Sequence, residues 1–227
     1  MCKFSLWNFR QNKATATGYI MSYDEQDAAL DEFYESLDKE LYPDHKIRAI
    51  AEFTYARLNS YYLKHPEVMR PALVAYKEAR GLHESKHYSA ALVFFVTSIE
   101  LSLKDTLLRP VVYGLVHSET LADAIVQHTI GQAGFDRYKK LLSKLFVDIA
   151  DIDLATVRRD GAGKALLEEA SDVQIIRNKI LHQGAICSEA ESSLAKEVTE
   201  LVFAKIVSPM FNELGLSVKD KGLVQVG

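Results

Sequence analysis

The longest stretch of this chain without a charged residue is Tyr88-Ser89-Ala90-Ala91-Leu92-Val93-Phe94-Phe95-Val96-Thr97-Ser98-Ile99. Apolar residues on all sides of a helical stretch indicate a helix buried among others, so we expect residues 87–108 to form the central helix of the protein. Pro110 should end it. The run is too short to span a bilayer, so we expect no membrane-spanning segment.

Long segments with helical spacing of apolar residues surround this run, and strand-like alternation is nearly absent. Helices are expected over residues 24–41, 44–64, 67–84, 135–149, 163–182 and 188–214. The first should end before Pro43 and bury Leu30, Phe33, Leu37 and Leu41, and the second should bury Ile47, Ile50, Ala51, Tyr55 and Leu58. The sequence therefore predicts an all-α fold, a bundle of five to seven mostly antiparallel helices.

Composition limits the class of protein. The net charge is -4, with 27 Lys and Arg against 31 Asp and Glu, which is not that of a general nucleic-acid binder. Any RNA contact must come from a local patch. Only Cys2 and Cys187 are present, and residues 1–20 have no continuous apolar core of a secretory signal, so we expect a cytoplasmic protein without a disulfide framework.

The stretch whose side chains are best suited to catalysis or to binding an anion is Arg177-Asn178-Lys179-Ile180-Leu181-His182, followed by Gln183-Gly184. Arginine can bind phosphate through two parallel donors, and histidine moves protons near neutral pH. On a helix, Asn178 and His182 share a face, whereas Arg177 and His182 point about 140° apart. Either the helix loosens at His182, or a second copy of the chain completes the site. Spacing alone equally fits a surface arginine and a helix-end histidine, and Arg80 to His87 is a second such match.

In these residues the chain resembles the HEPN superfamily, which comprises small all-helical domains that include many ribonucleases. The family signature is an arginine, a polar residue and then a histidine on a late helix, as in Arg177, Asn178 and His182. An earlier family helix leads from small and apolar residues to an acid and a base, as in 87–104. The resemblance implies one helical domain over residues 21–215 with its core at 66–214. Residues 1–20 are then expected to be a flexible arm and 216–227 a C-terminal tail.

The resemblance implies a metal-independent endoribonuclease without a cofactor, acting on RNA and not on DNA as a homodimer with a composite site. His182 would transfer protons, and Arg177 would stabilise charge on the phosphate. Asn178 would orient His182 or the scissile phosphate. Glu100 would pair with Arg177, although a rim glutamate facing water or Lys104 fits equally well. The alternative is a HEPN-like module that binds nucleotides or partners without cutting RNA.

The family suggests a toxin or antiviral-defence effector, held silent by an antitoxin or a sensor protein. One subgroup is silenced by nucleotide transfer onto a tyrosine two residues beyond the motif histidine. That position is Gly184 here, so this mode of control is not expected. The acidic segment 24–40 is either a solvated face or a surface that shields an RNA groove.

The sequence contains two weaker candidates for function, a group of cationic residues and a pattern similar to a zinc site. Cationic residues near the motif could hold an RNA backbone or be ordinary surface charge: Arg137, Lys140, Lys144, Arg158, Arg159 and Lys164, with Lys139 beside them. His83-Glu84-Ser85-Lys86-His87 matches the zinc hydrolase pattern, which needs both histidines on one helix. A turn is the simpler interpretation of that segment, so no metal is expected.

Overall fold

The chain divides into two compact units, residues 1–49 and residues 50–227. The structure, a computed structural model, describes residues 25–116, 118–126 and 135–227. The expected flexible arm, residues 1–20, lies outside the described residues. One helix, α1 (Glu25–Lys64), includes all of the described part of the first unit.

After α1 the chain continues with short and medium helices and ends in a hairpin. In chain order the elements are α2 (Arg70–Glu84), α3 (Tyr88–Leu101), a first π-helical segment (Ser102–Leu108), α4 (Arg109–Leu115), α5 (Glu119–Ile125), α6 (Phe135–Ala150), α7 (Leu166–Gln183), α8 (Glu189–Val202), a second π-helical segment (Phe203–Val207), α9 (Ser208–Glu213), β1 (Leu216–Lys219) and β2 (Leu223–Val226). The described residues are mostly helical, which confirms the all-α prediction at this level. None of the described helices is long and apolar enough to cross a membrane.

Helix α3 lies at the centre of the second unit, as the uncharged run predicts. It contacts α2, α7 and α8. Its apolar side chains from Ala91 to Ile99 include five that are no more than 3% exposed. The hydroxyl of Ser98 donates to the carbonyl of Ala72 on α2 at 2.8 Å, so this buried polar group also has a partner.

Pro110 does not end this helix, contrary to the prediction. The chain stays helical from Tyr88 to Leu115, because it widens into the π-helical segment Ser102–Leu108 just before the proline. Pro110 has no N–H to offer the carbonyl of Thr106, four residues earlier. The fully buried Tyr62 hydroxyl donates to that carbonyl instead, at 2.7 Å. A side chain from α1 thus replaces the missing backbone donor.

Helix α1 differs from the prediction at Pro43, where the sequence predicts a break. The helix is continuous, because the proline removes one backbone hydrogen bond while the helix-favouring residues on both sides remain. The expected buried stripe is wrong at Leu30 and Phe33, and Leu37 is half-buried. Leu41 and Ile47 lie outside the residues whose side chains the structure describes. Leu30 and Phe33 are 50% and 57% exposed, since the described part of the first unit is a single helix with no second element to cover them. In the second unit Leu58 is buried as predicted, while Ile50 and Tyr55 are exposed.

Residues 216–227 form an antiparallel hairpin rather than the expected tail, with Leu216 opposite Val226. Two consecutive residues with positive φ, Lys221 and Gly222, turn the chain between the strands. Gly222 has a φ of 77°, and a Cβ there would also lie 2.6 Å from the end of the Leu73 side chain, so glycine is favoured at this position. The strands alternate, with Leu216 and Val224 buried on the helices. This apolar face is the physical reason for the hairpin.

Removing the Tyr62 hydroxyl tests how Pro110 is accommodated. We expect Tyr62→Phe to lower the free energy of unfolding by about 1–3 kcal/mol, because the buried Thr106 carbonyl then loses the hydrogen bond from the Tyr62 hydroxyl. Tyr34→Phe is the matched control, since Tyr34 is 62% exposed. Urea denaturation of both variants measures the difference. Equal stability of the two variants would contradict this account.

Candidate functional site

The signature residues lie in the C-terminal half of α7. The helix begins where the Glu168 carboxylate accepts a hydrogen bond from the Ala165 amide at 3.1 Å. It ends at Gly184, whose φ of 66° is the left-handed conformation that glycine adopts readily. Leu166, Leu167, Ala170 and Val173 bury its first half against the core. The second half reaches the surface, where the signature residues are found.

The guanidinium of Arg177 pairs with the carboxylate of Glu100 at the end of α3. Arg177 Nη2 donates to Glu100 Oε2 at 3.1 Å, so the pair expected from the resemblance is present. Gln174, one turn earlier on α7, donates from Nε2 to Glu100 Oε1 at 2.7 Å. Both oxygens of the carboxylate are therefore engaged by α7. Sequence reasoning missed Gln174, although its spacing of three residues from Arg177 puts both on one helix face.

Asn178 also contacts this arginine. Arg177 Nη1 donates to Asn178 Oδ1 at 3.0 Å, which orients the amide oxygen of Asn178 toward the guanidinium. Arg177 Nε is buried and has no hydrogen-bond partner among the described residues. The arginine side chain is 23% exposed. Its orientation is therefore fixed by Glu100 and Asn178, while part of its surface remains open to solvent.

His182 lies on the exposed last turn of α7 and forms no hydrogen bond or ion pair with the described residues of this cluster. The helix is regular through Gln183, so it does not loosen at His182. With about 100° per residue, the His182 and Arg177 side chains of one chain point about 140° apart. Asn178 and Lys179 are exposed on the same side as His182. Two neighbouring apolar side chains are exposed as well, Ile175 at 53% and Leu181 at 51%, followed by Ile186 at 91% in the next loop.

Three of the six weaker cationic candidates, Arg158, Arg159 and Lys164, have partners within the described chain. Arg159 donates twice to the nearly buried Glu169, with Nη2 to Oε1 at 3.1 Å, and also reaches Glu197. Lys164 pairs with Asp172 at 2.6 Å, and Arg158 donates to the Gly163 carbonyl at 3.0 Å.

These contacts hold the loop before α7, so the three cations have a structural role that the sequence did not indicate. Lys140 and Lys144 are exposed on α6. Arg137 lies outside the residues whose side chains the structure describes.

The His83–His87 segment does not form one helix. Helix α2 ends at Glu84, and Lys86 turns the chain with a φ of 62° before α3 begins. His83 Nδ1 is hydrogen-bonded to the Ser192 hydroxyl at 2.9 Å, and Glu84 pairs with Arg80. No three potential metal ligands cluster among the described residues. The helical geometry that the zinc pattern requires is therefore absent from this segment.

The Glu100–Arg177 pair should contribute more to stability than an exposed pair. We expect Glu100→Ala to lower the free energy of unfolding by about 1–3 kcal/mol, because Arg177 and Gln174 both lose their acceptor in a partly buried place. The control is Glu84→Ala, which breaks the exposed Arg80–Glu84 pair and should cost less than about 0.5 kcal/mol. Urea denaturation gives both values. Similar losses of stability in the two variants would show that the Glu100–Arg177 pair contributes no more than the exposed Arg80–Glu84 pair.

The geometry thus offers a held arginine, an amide and an exposed histidine on one helix that ends at the surface. Comparison of the chain with protein-family models, with curated proteins and with solved structures finds no match. What these three residues do is accordingly inferred from their arrangement and from the resemblance of the motif.

Proposed function

We propose that this chain is a metal-independent endoribonuclease of the HEPN type that acts as a homodimer. The observation that carries the proposal is the cluster on α7. Arg177 is held by Glu100 from α3, as the resemblance implies, and His182 lies exposed one turn further along. The packing of α2, α3, α7 and α8 on one another supports a HEPN-like bundle.

The proposed reaction uses the RNA 2′-hydroxyl as nucleophile. Its oxygen attacks the adjacent phosphorus, the bond from phosphorus to the 5′-oxygen breaks, and the products are a 2′,3′-cyclic phosphate and a 5′-hydroxyl. His182 takes part in the proton transfers that this exchange needs. Arg177 stabilises the charge that develops on the phosphate, and Asn178 orients the reacting groups. DNA lacks the nucleophile and is not a substrate.

The regular geometry of α7 favours a site built from two copies. On a regular helix the Arg177 and His182 side chains leave α7 about 140° apart, so one chain is poorly arranged to aim both at the same phosphate. A second copy that meets this helix end can supply the missing group. The exposed Ile175, Leu181 and Ile186 give that meeting an apolar contribution. In this arrangement Arg177 of one protomer acts with His182 of its partner.

The alternative is a non-catalytic module that binds a nucleotide or a protein. The observation in its favour is that Glu100 already balances the charge of Arg177, with Asn178 on the other side of the guanidinium. A guanidinium engaged in this way has less capacity to stabilise a transition state. An antitoxin or a sensor protein is the proposed partner in either case.

A cleavage assay in excess chelator tests the main proposal. We expect the purified chain to cut mixed RNA without added metal and His182→Ala to lose at least about 100-fold in rate, the usual weight of proton transfer. The control is His87→Ala, which removes another exposed histidine, at the start of α3. Equal cleavage by the parent and both variants would place the activity elsewhere. No cleavage by the parent would favour the binding module.

Mixing two inactive variants tests the composite site. Arg177→Ala and His182→Ala should each be inactive alone, and mixing them should restore part of the activity, because a mixed dimer keeps one intact Arg177–His182 pair across its interface. Mixing each variant with itself is the control. Activity that stays absent after subunit exchange, when mixed dimers are verified by mass spectrometry, would mean that both groups must come from one chain.

A further inference from the structure

A cavity in the 50–227 unit is lined by none of the signature residues. Its volume is about 280 Å³, close to the lower end of ordinary ligand pockets. The cavity is lined by Arg57, Tyr61 and Lys64 of α1, by His65 directly after that helix, by Tyr113 of α4 and by Asp123 of α5. None of these side chains belongs to the Glu100–Arg177 cluster, so the cavity needs its own explanation.

Arg57 is held in place at this cavity by backbone rather than by a carboxylate. Its Nη2 donates to the carbonyls of Tyr113 and Val116, both at 2.9 Å, where α4 ends. Its Nε is buried and has no hydrogen-bond partner among the described residues. The hydrogen-bond acceptors of this guanidinium are neutral carbonyls, and the Phe53 ring lies 5.6 Å from it, so no carboxylate among the described residues balances its charge. A positive charge of this kind is suited to attract an anion.

The remaining charges at the cavity favour the same kind of ligand. Lys64 lies on the same face of α1 as Arg57, and His65 follows directly after the helix. Neither Lys64 nor His65 forms an ion pair within the described residues. Asp123 is the one carboxylate among the described lining residues, and it accepts a hydrogen bond from the Tyr113 hydroxyl. That bond, together with burial, raises the pKa of Tyr113 to about 12, so Tyr113 remains a donor to Asp123. The cationic side of the cavity is thus free to face a ligand.

Aromatic rings pack against one another in the lining of the cavity, beside Arg57 and Lys64. The Tyr61 ring lies 4.6 Å from the His65 ring and 5.0 Å from the Tyr113 ring, centroid to centroid. Packed rings of this kind lose little freedom when a ligand arrives and present an apolar face to it. The cavity therefore combines an anion-binding side with an apolar side.

We propose that this cavity binds a small phosphomonoester, with its phosphate at Arg57, Lys64 and His65 and its organic part against Tyr61. Three potential cations suit the doubly charged phosphate better than a carboxylate, which carries one charge. The volume of about 280 Å³ is enough for a phosphate and one ring. This ligand is separate from the RNA of the proposed catalytic site, so each proposal can fail without the other.

Isothermal titration calorimetry of the full chain tests the proposal with phenyl phosphate as probe. Inorganic phosphate and phenol, at the same ionic strength, separate the contributions of the anion and the ring. We expect saturable binding of one phenyl phosphate per chain, weaker binding of inorganic phosphate and none of phenol. Lys64→Gln should weaken binding of phenyl phosphate about tenfold, since it removes one charged hydrogen bond.

Lys46→Gln is the matched control, because Lys46 is an exposed lysine of the same helix outside the cavity. It should bind phenyl phosphate as the parent does. Absence of saturable binding in the parent, or equal affinities of the Lys64 and Lys46 variants, would overturn the proposal. Displacement of phenyl phosphate by single-stranded RNA at lower concentration than by inorganic phosphate would also overturn it, in favour of an RNA-binding surface.

Discussion

Burial of α3 is the constraint on which the rest of the second unit depends. A helix that carries no charge from Tyr88 to Ile99 must be covered on most of its sides, and α2, α7 and α8 provide that cover. Glu100 is the first charge after this run, at the edge of the covered region. Its carboxylate needs a partner there, and Arg177 on α7 provides it. The residue that closes the core thus also fixes the arginine of the candidate site.

The central helix, the helix over 135–150 and the late helix with the signature residues were predictable, because strong periodicity needs no tertiary information. The continuation through Pro110 was not. It depends on a tyrosine far away in the sequence, Tyr62, whose hydroxyl takes the place of the missing amide. A sequence pattern shows only that a proline removes a hydrogen bond from its helix. It does not show a replacement donor that folding brings close from a distant part of the chain. The hairpin of 216–226 did leave a signal, the alternation of apolar residues around Lys221 and Gly222, although each strand is only four residues long.

For the candidate site, the sequence indicated Arg177, Asn178, His182 and Glu100 but not Gln174, which also binds the Glu100 carboxylate. The pairing of Glu100 with Arg177 followed from the resemblance, and the position of His182 followed from helix geometry. The cations at 158–164 could be read only as positive charge, since their partners, Glu169 among them, are identified by the fold. Sequence patterns gave no indication of the cavity beside Arg57, because α1, α4 and α5 form it together. In each of these cases the prediction lacked a long-range contact, which residue types alone do not reveal.

The exposed stretch of α1 has a consequence for how the protein opens. The described side chains at 28–36 and 48–53 are all exposed, so this part of the helix is held mainly by its own backbone hydrogen bonds. Isolated helical segments are marginal in water, and such segments open locally at a much lower free energy than a packed core. Amide hydrogens there exchange before those of α3. Loss of helical signal on heating or in denaturant then begins before the core unfolds, and one two-state free energy does not describe the whole chain.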